Sequence, residues 1–320
     1  MPRIMPGKRL LKMLLPIAGL LLLAVIVTTV WLVFKATRPP SQAYMVTPET
    51  FTLLSERGLK ATSEEWTNRD GTKARGWLLR GMEGAPAIIL LHRYGADRSW
   101  LLNLGVKLNE TTNYTVLWPD LRGHGVDPPV AWSSFGGREA EDIGAALDYL
   151  RSLKTPQERP LVGQRFGLYG VELGAYAALR AGVKDEMVRA LALDSVPDTP
   201  NDVLNSAVRE RTGLNNGLLN WLARTGVRVY FFGGYDNTRA CEAARNMAER
   251  RVLLLAGNGP EELKASTIAL AQCFPQTANV EVNGELPLTG YNLPSATGEQ
   301  GEAYDRRVID FFDRTLRAVP

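Results

Sequence analysis

The groups able to do chemistry are few and unevenly spread. The chain has two histidines, His92 and His124, both in its first half. Its two cysteines, Cys241 and Cys273, do not have metal-ligand spacing. Carboxylates stand out at three places: Glu172 between Gly170 and Gly174, Asp194 with Asp198 just beyond it, and Glu261 with Glu262 after RVLLLAG. The paired glycines around Glu172 permit a tight backbone approach. A carboxylate there could act as a nucleophile, but releasing the ester it forms needs a base to activate water. Neither histidine lies in the C-terminal half. No metal and no cofactor is expected.

The elements that must carry these groups alternate. Continuous apolar runs at 86–92 and 114–120 read as buried strands of a mostly parallel sheet, and 74–81 alternates like a strand beside a solvated face. Segments 166–171, 188–194, 251–257 and 279–282 repeat the strand pattern. Helix-like stretches lie between them: RSWLLNLGVKLN, REAEDIGAALDYLRSL, ELGAYAALRAG, RACEAARNMAER and PEELKASTIALAQCF. A short helix near 49–57 leads in. EAYDRRVIDFFDRTL closes the chain, with Val308, Phe311, Phe312 and Leu316 on one face. This alternation predicts an α/β fold, an open sheet covered on both faces.

Four motifs in register sharpen the picture. DGTKARGWLLRG with APAIILLHRYGADRS, YTVLWPDLRGHG, FGGREAEDIGAALDYLRS and FGLYGVELGAYAALRAG resemble, in order and spacing, segments of the α/β-hydrolase superfamily. They match its leading hairpin with third strand and oxyanion loop, its Asp-x-Arg-Gly-His-Gly turn, the helix before the nucleophile elbow, and the elbow itself. The resemblance covers about residues 66–200, and the last helix is similar too. It points to bacterial serine-aminopeptidase-like or acyl-ester-hydrolase-like members. It implies an α/β-hydrolase fold with an eight-stranded-type, mostly parallel sheet flanked by helices and little or no lid.

The same resemblance assigns roles by position. The family's G-x-S-x-G elbow reads Gly170-Val171-Glu172-Leu173-Gly174, so Glu172 stands where the Ser nucleophile would. The elbow is expected at the base of a shallow pocket shared with the oxyanion loop, His92, Arg93 and Tyr94. The acid position lacks its Asp; Glu261 or Asp194 are the candidates. Tyr291 or Asn292 replaces the His. His92 and His124 match scaffold positions of the oxyanion loop and the Arg-Gly-His-Gly turn. Because that loop neighbours the elbow, Arg93 either pairs with Glu172 or points to solvent.

The N-terminus reads separately. Residues 1–12 form a basic segment, 13–34 an uncharged transmembrane helix, 35–48 a proline-bearing extended tether, and 49–320 the hydrolase-fold domain. Twenty-two helical residues span about 33 Å, enough for a hydrocarbon core of about 30 Å. Trp31 suits an interfacial anchor. Six cations and no acids fall in residues 1–40, so the net charge of +3 conceals a remainder of −3. That excludes a nucleic-acid surface. Four cations precede the span and two follow it, placing the N-terminus in the cytoplasm and the domain outside. The competing reading is a signal peptide cut near Ser41-Gln42-Ala43. Cys241 and Cys273 are expected as two buried thiols on helices, with a disulfide as the alternative.

The expected partner is the lipid bilayer through 13–34, with an unidentified small molecule or protein beside it and no nucleic acid. Loss of Ser, His and Asp together favours a membrane-anchored, single-pass pseudoenzyme: a binding or scaffolding domain with hydrolase ancestry. The alternative is an active hydrolase of ester, amide or related substrates, rebuilt around Glu172.

Overall fold

A computed structural model of the chain describes residues 7–54, 60–232, 234–293 and 298–317. Two compact units emerge, residues 1–37 with 204–235, and residues 38–203 with 236–320.

The larger unit is built on an eight-stranded sheet. Its strands are β1 (Thr62–Thr67), β2 (Lys73–Leu79), β3 (Ala85–Leu91), β4 (Thr115–Pro119), β5 (Val162–Val171), β6 (Val188–Asp194), β7 (Arg251–Leu255) and β8 (Asn279–Asn283). They lie in the order β1-β2-β4-β3-β5-β6-β7-β8. β2 is antiparallel to both neighbours, and every pairing from β4 to β8 is parallel. β3, β4 and β6 are buried almost throughout, which is why they read as unbroken apolar runs. β1, TSEEWT, sits on an edge with a largely exposed pattern and lacks such a signal.

The helices are α1 (Gly7–Thr37), α2 (Pro48–Leu54), α3 (Leu102–Thr112), α4 (Gly137–Ser152), α5 (Leu173–Lys184), α6 (Pro200–Thr212), α7 (Gly217–Tyr230), α8 (Ala240–Arg245), α9 (Glu261–Leu270) and α10 (Gly298–Leu316). On α10 the expected face, Val308, Phe311, Phe312 and Leu316, is buried. α6 and α7 fill a stretch where the sequence pattern suggested no element. α2 ends at Leu54; the remainder of the expected helix to 57 lies outside the described residues.

Of the expected tether 35–48, residues 35–37 belong to α1 and Pro48 to α2; residues 38–47 between them carry no regular element and are not free. Ser41 Oγ donates to Gly125 O (3.0 Å), Tyr44 Oη to Asp120 Oδ2 (2.7 Å), and Met45 N to Ser99 Oγ (3.1 Å). Tyr44 also packs edge-on against Trp77. The segment is a docked strap, and burial beside Asp120 pushes the Tyr44 phenol up to about 12.

The cysteines correct another expectation. Cys241 and Cys273 form a disulfide that joins α8 to the turn after α9. The two helices bring their Cα atoms to 5.2 Å, within bonding geometry that sequence spacing does not reveal.

The smaller unit holds α1, the rest of α6 and α7. α1 contains the one segment, Leu14–Thr37, long and apolar enough to cross a membrane among the described residues. α7 packs on it through Gly226, where a Cβ would lie 2.5 Å from Val33 Cγ2 and 2.6 Å from Thr29 Cγ2.

The disulfide closes a loop of 32 residues, for which chain entropy alone gives about 3–4 kcal/mol of stabilisation. The Cys241→Ser, Cys273→Ser double variant is expected to lose stability up to that amount. Urea unfolding of the two proteins measures it, and wild type in reductant should match the variant.

Candidate functional site

The elbow forms where β5 turns directly into α5. Glu172, the single residue between them, adopts φ 48° and ψ −107°, a conformation L-residues rarely hold. Its glycine neighbours make the turn possible. A Cβ on Gly170 would lie 2.4 Å from the Gly174 carbonyl, and one on Gly174 would lie 2.4 Å from Leu91 O. The turn is fixed by Glu172 N donating to Asp194 O (2.9 Å) and Tyr176 N donating to Glu172 O (2.9 Å). Val171 and Leu173, flanking Glu172, are buried in the core.

The side chain is buried rather than at the floor of an open pocket; Glu172 is 2% exposed. Its Oε2 accepts a hydrogen bond from Tyr94 N at 3.1 Å. Tyr94 lies in the loop after β3, so a backbone donor of that loop is directed at the carboxyl group of Glu172. Such donors stabilise negative charge strongly where water is excluded. The first turn of α5 adds its positive dipole end.

Both histidines are committed elsewhere. His92 Nε2 accepts from Leu121 N (3.0 Å), which leaves Nδ1 to donate to Arg93 O (2.8 Å). His124 Nε2 accepts from Gly95 N (3.1 Å), and Nδ1 donates to Arg122 O (2.7 Å). A backbone amide can only donate, so each ring is fixed in the Nδ1–H tautomer. Burial pushes His92 down to about 4 and His124 down to about 3. With each Nε2 lone pair occupied, neither ring has a free basic nitrogen. Together they brace the oxyanion loop against the Asp-x-Arg-Gly-His-Gly turn.

Arg93 does not pair with Glu172, nor does it simply face solvent. Its Nη1 donates to Tyr94 O (2.8 Å), and its guanidinium lies 4.7 Å from the Trp100 ring centre and 4.5 Å from that of Tyr291. The planar cation is held between two rings, a geometry lysine could not supply. Tyr291, at the expected His position, thus serves as a stacking surface. Asn292 holds its own loop: Oδ1 accepts from Thr289 N (2.9 Å) and Nδ2 donates to Asn258 O (3.2 Å).

Of the two acid candidates, only Asp194 approaches the elbow. Glu261 is exposed in the first turn of α9, where a carboxylate suits the helix dipole. Asp194 is fully buried at the end of β6, paired in register with Val171. Its Oδ2 accepts from Gly290 N (2.7 Å) and Tyr304 Oη (2.5 Å), and its Oδ1 accepts from Ser195 Oγ (2.7 Å). Tyr304 Oη lies 2.7 Å from Tyr169 Oη. Sequence reasoning missed Tyr304, Tyr169 and Gly290. Tyr304 carried a signal, since it falls one turn before Val308 on the apolar face of α10, where a hydroxyl needs a buried partner. Asp198 lies farther out, bridged to Arg239 at 2.9 Å.

No family model matches the chain. It is 26% identical over 167 residues to a thiohydrolase of Aspergillus aculeatus, a match covering 47% of this chain and 48% of that protein. The aligned stretch is thus about half the length of that curated relative. Among solved structures it resembles the Pyrococcus furiosus esterase Pf2001, at 18% identity and TM-score 0.62, over 88% of this chain and 100% of that one. The α/β hydrolase GrgF from a Penicillium species matches at 18% identity and TM-score 0.58, over 81% and 99% of the two chains. Pyrococcus horikoshii acylaminoacyl peptidase matches at 14% identity and TM-score 0.56, over 84% of this chain and 44% of its own.

Two outcomes follow from this geometry. Glu172→Ala removes the acceptor of the Tyr94 N–H and should cost about 1–3 kcal/mol, while Glu172→Gln, which keeps an oxygen, should cost less. Urea unfolding ranks the three proteins. Burial raises Asp194 to about 6 despite its hydrogen bonds, which favour the ionised form. A raised carboxyl pKa stabilises the fold below the unfolded value near 3.8, and this contribution is lost as pH rises through about 6. The rise from 3.8 to about 6 is worth about 3 kcal/mol at most. Asp194→Asn should therefore flatten the stability profile between pH 4 and about 6, as read by thermal unfolding across that range.

Proposed function

We propose, from an α/β-hydrolase fold whose elbow carries Glu172, that this protein is a membrane-anchored pseudo-hydrolase acting as a binding or scaffolding domain. The observation that carries the reading is the buried Glu172 carboxylate hydrogen-bonded to Tyr94 N. The amide that would receive a developing oxyanion already donates to a side-chain oxygen. The two histidines strengthen the case, because each has its acceptor nitrogen occupied by a backbone amide. An ester intermediate on Glu172 would have no histidine free to release it. The hydrolase activities named for the relatives are therefore not carried over to this chain.

The anchor is α1, which crosses the bilayer once with the basic N-terminus in the cytoplasm. The cation bias supports this orientation, as does the disulfide, which belongs in an oxidising compartment.

Two experiments test the reading. The full-length protein should be released from membranes by detergent and not by carbonate or high salt. Recovery of a soluble chain beginning near Tyr44 would establish cleavage instead. The purified protein should neither label with a fluorophosphonate probe nor turn over p-nitrophenyl esters. Glu172→Ser alone should not restore activity, since a Ser without its base is barely nucleophilic. Wild-type turnover that disappears in Glu172→Gln would overturn the non-catalytic reading and establish a carboxylate nucleophile.

A further inference from the structure

α7 is amphipathic in an unusual sense: both of its faces carry apolar side chains. One face, with Ala223 and Val227, is buried. The other exposes Leu218 at 63%, Trp221 at 58% and Val229 at 66%, and Phe232 just beyond the helix at 94%. At about 100° per residue Leu218, Trp221 and Val229 fall on one side of the helix, and Phe232 follows its end. A stripe of large apolar groups left in water is costly, at about 1.5–3 kcal/mol for each such side chain.

The position of α7 along α1 identifies what covers the stripe. Gly226 meets Thr29 and Val33 of α1. At 1.5 Å per residue, these contacts lie about 22 to 29 Å from Leu14, where the apolar segment begins. A hydrocarbon core is about 30 Å thick, so α7 meets α1 at the level of its far boundary. The outward apolar surface of α1 runs beside that contact at Trp31 and on to Phe34, both exposed. Arg228 is exposed one residue from Val229, within reach of a lipid phosphate.

We propose that α7 is a second membrane contact, an interfacial helix whose Leu218–Trp221–Val229–Phe232 stripe lies in the leaflet surface around the exit of α1. This rests on the reading of α1 as a membrane anchor. The ligand is a phospholipid surface: acyl chains take the apolar stripe and phosphate groups take Arg228. Helices of this kind bury their apolar face about 5–10 Å into the headgroup–acyl boundary.

Spin labels in the full-length chain test it, reconstituted in vesicles of phosphatidylcholine with phosphatidylglycerol. The native cysteines are both in the disulfide, so one introduced cysteine gives one labelled site. Leu21→Cys reports on α1, Leu218→Cys and Val229→Cys on α7, and Glu158→Cys provides an exposed reference in the larger unit. Labels at 218 and 229 should collide severalfold less often with a water-soluble nickel complex than the label at 158. They should also remain accessible to oxygen, at shallower depth than the label at 21. A buried label at 21 with water-like labels at 218 and 229 would overturn the inference and leave the anchor intact. Labels at 218 and 229 shielded from nickel and oxygen alike would mean that protein covers the stripe, which also overturns it. A water-like label at 21 would remove the anchor and the inference together.

Discussion

A buried carboxylate at a strained turn needs donors, and the hydrogen bond from Tyr94 N to Glu172 supplies one. Much of the local architecture serves to hold that donor in place. Tyr94 belongs to a loop whose conformation is fixed by His92 on one side and by His124, through Gly95 N, on the other. Arg93 closes the same loop by donating to Tyr94 O from between two aromatic rings. The two histidines are neutral and take backbone amides as donors, so they add rigidity without adding charge beside Glu172. An imidazolium there could not accept from Leu121 N or Gly95 N, and the loop would come apart.

A second buried carboxylate, Asp194, closes β6. Asp194 contacts no histidine; its oxygens take Gly290 N, Tyr304 Oη and Ser195 Oγ. These bonds tie β6, the loop after β8 and α10 into one buried polar cluster. Such a network is costly when only partly satisfied and rigidifying when complete. Its Gly290 contact fixes the loop that bears Tyr291 and Asn292, where the resemblance would put a catalytic base. That loop is thus held by Asp194 and by its own polar groups.

The parts of this arrangement legible in the sequence are those governed by local rules. Buried parallel strands must be apolar on both faces, so β3, β4 and β6 announced themselves, as did the glycines that let β5 turn into α5. The edge strand β1 did not, because half-solvated polar residues such as Glu64 and Glu65 give no periodic signal. α6 and α7 escaped because the exposed Leu218, Trp221 and Val229 fill what should be a polar face, blurring the helical period. Long-range pairings were the least legible. The chain cannot show that Arg93 would choose Trp100 and Tyr291 over Glu172, since all three partners are compatible with a guanidinium. The Cys241–Cys273 bond depends likewise on how α8 meets α9, which is a matter of packing.

The three positions to which the resemblance assigns a triad are bound into separate contacts. In a working hydrolase the nucleophile, base and acid act as a unit, and the loss of any one removes most of the rate. Here each position has acquired a separate structural commitment. Glu172 accepts from Tyr94 N, Tyr291 stacks on Arg93, and Asp194 binds Tyr304 and Gly290. A hydroxyl at position 172 would free Tyr94 N, yet the imidazole to activate it would still have to displace Tyr291 or Asn292 from contacts that hold the loop. These contacts are spread over three elements, so a change at any one position leaves the other two in place.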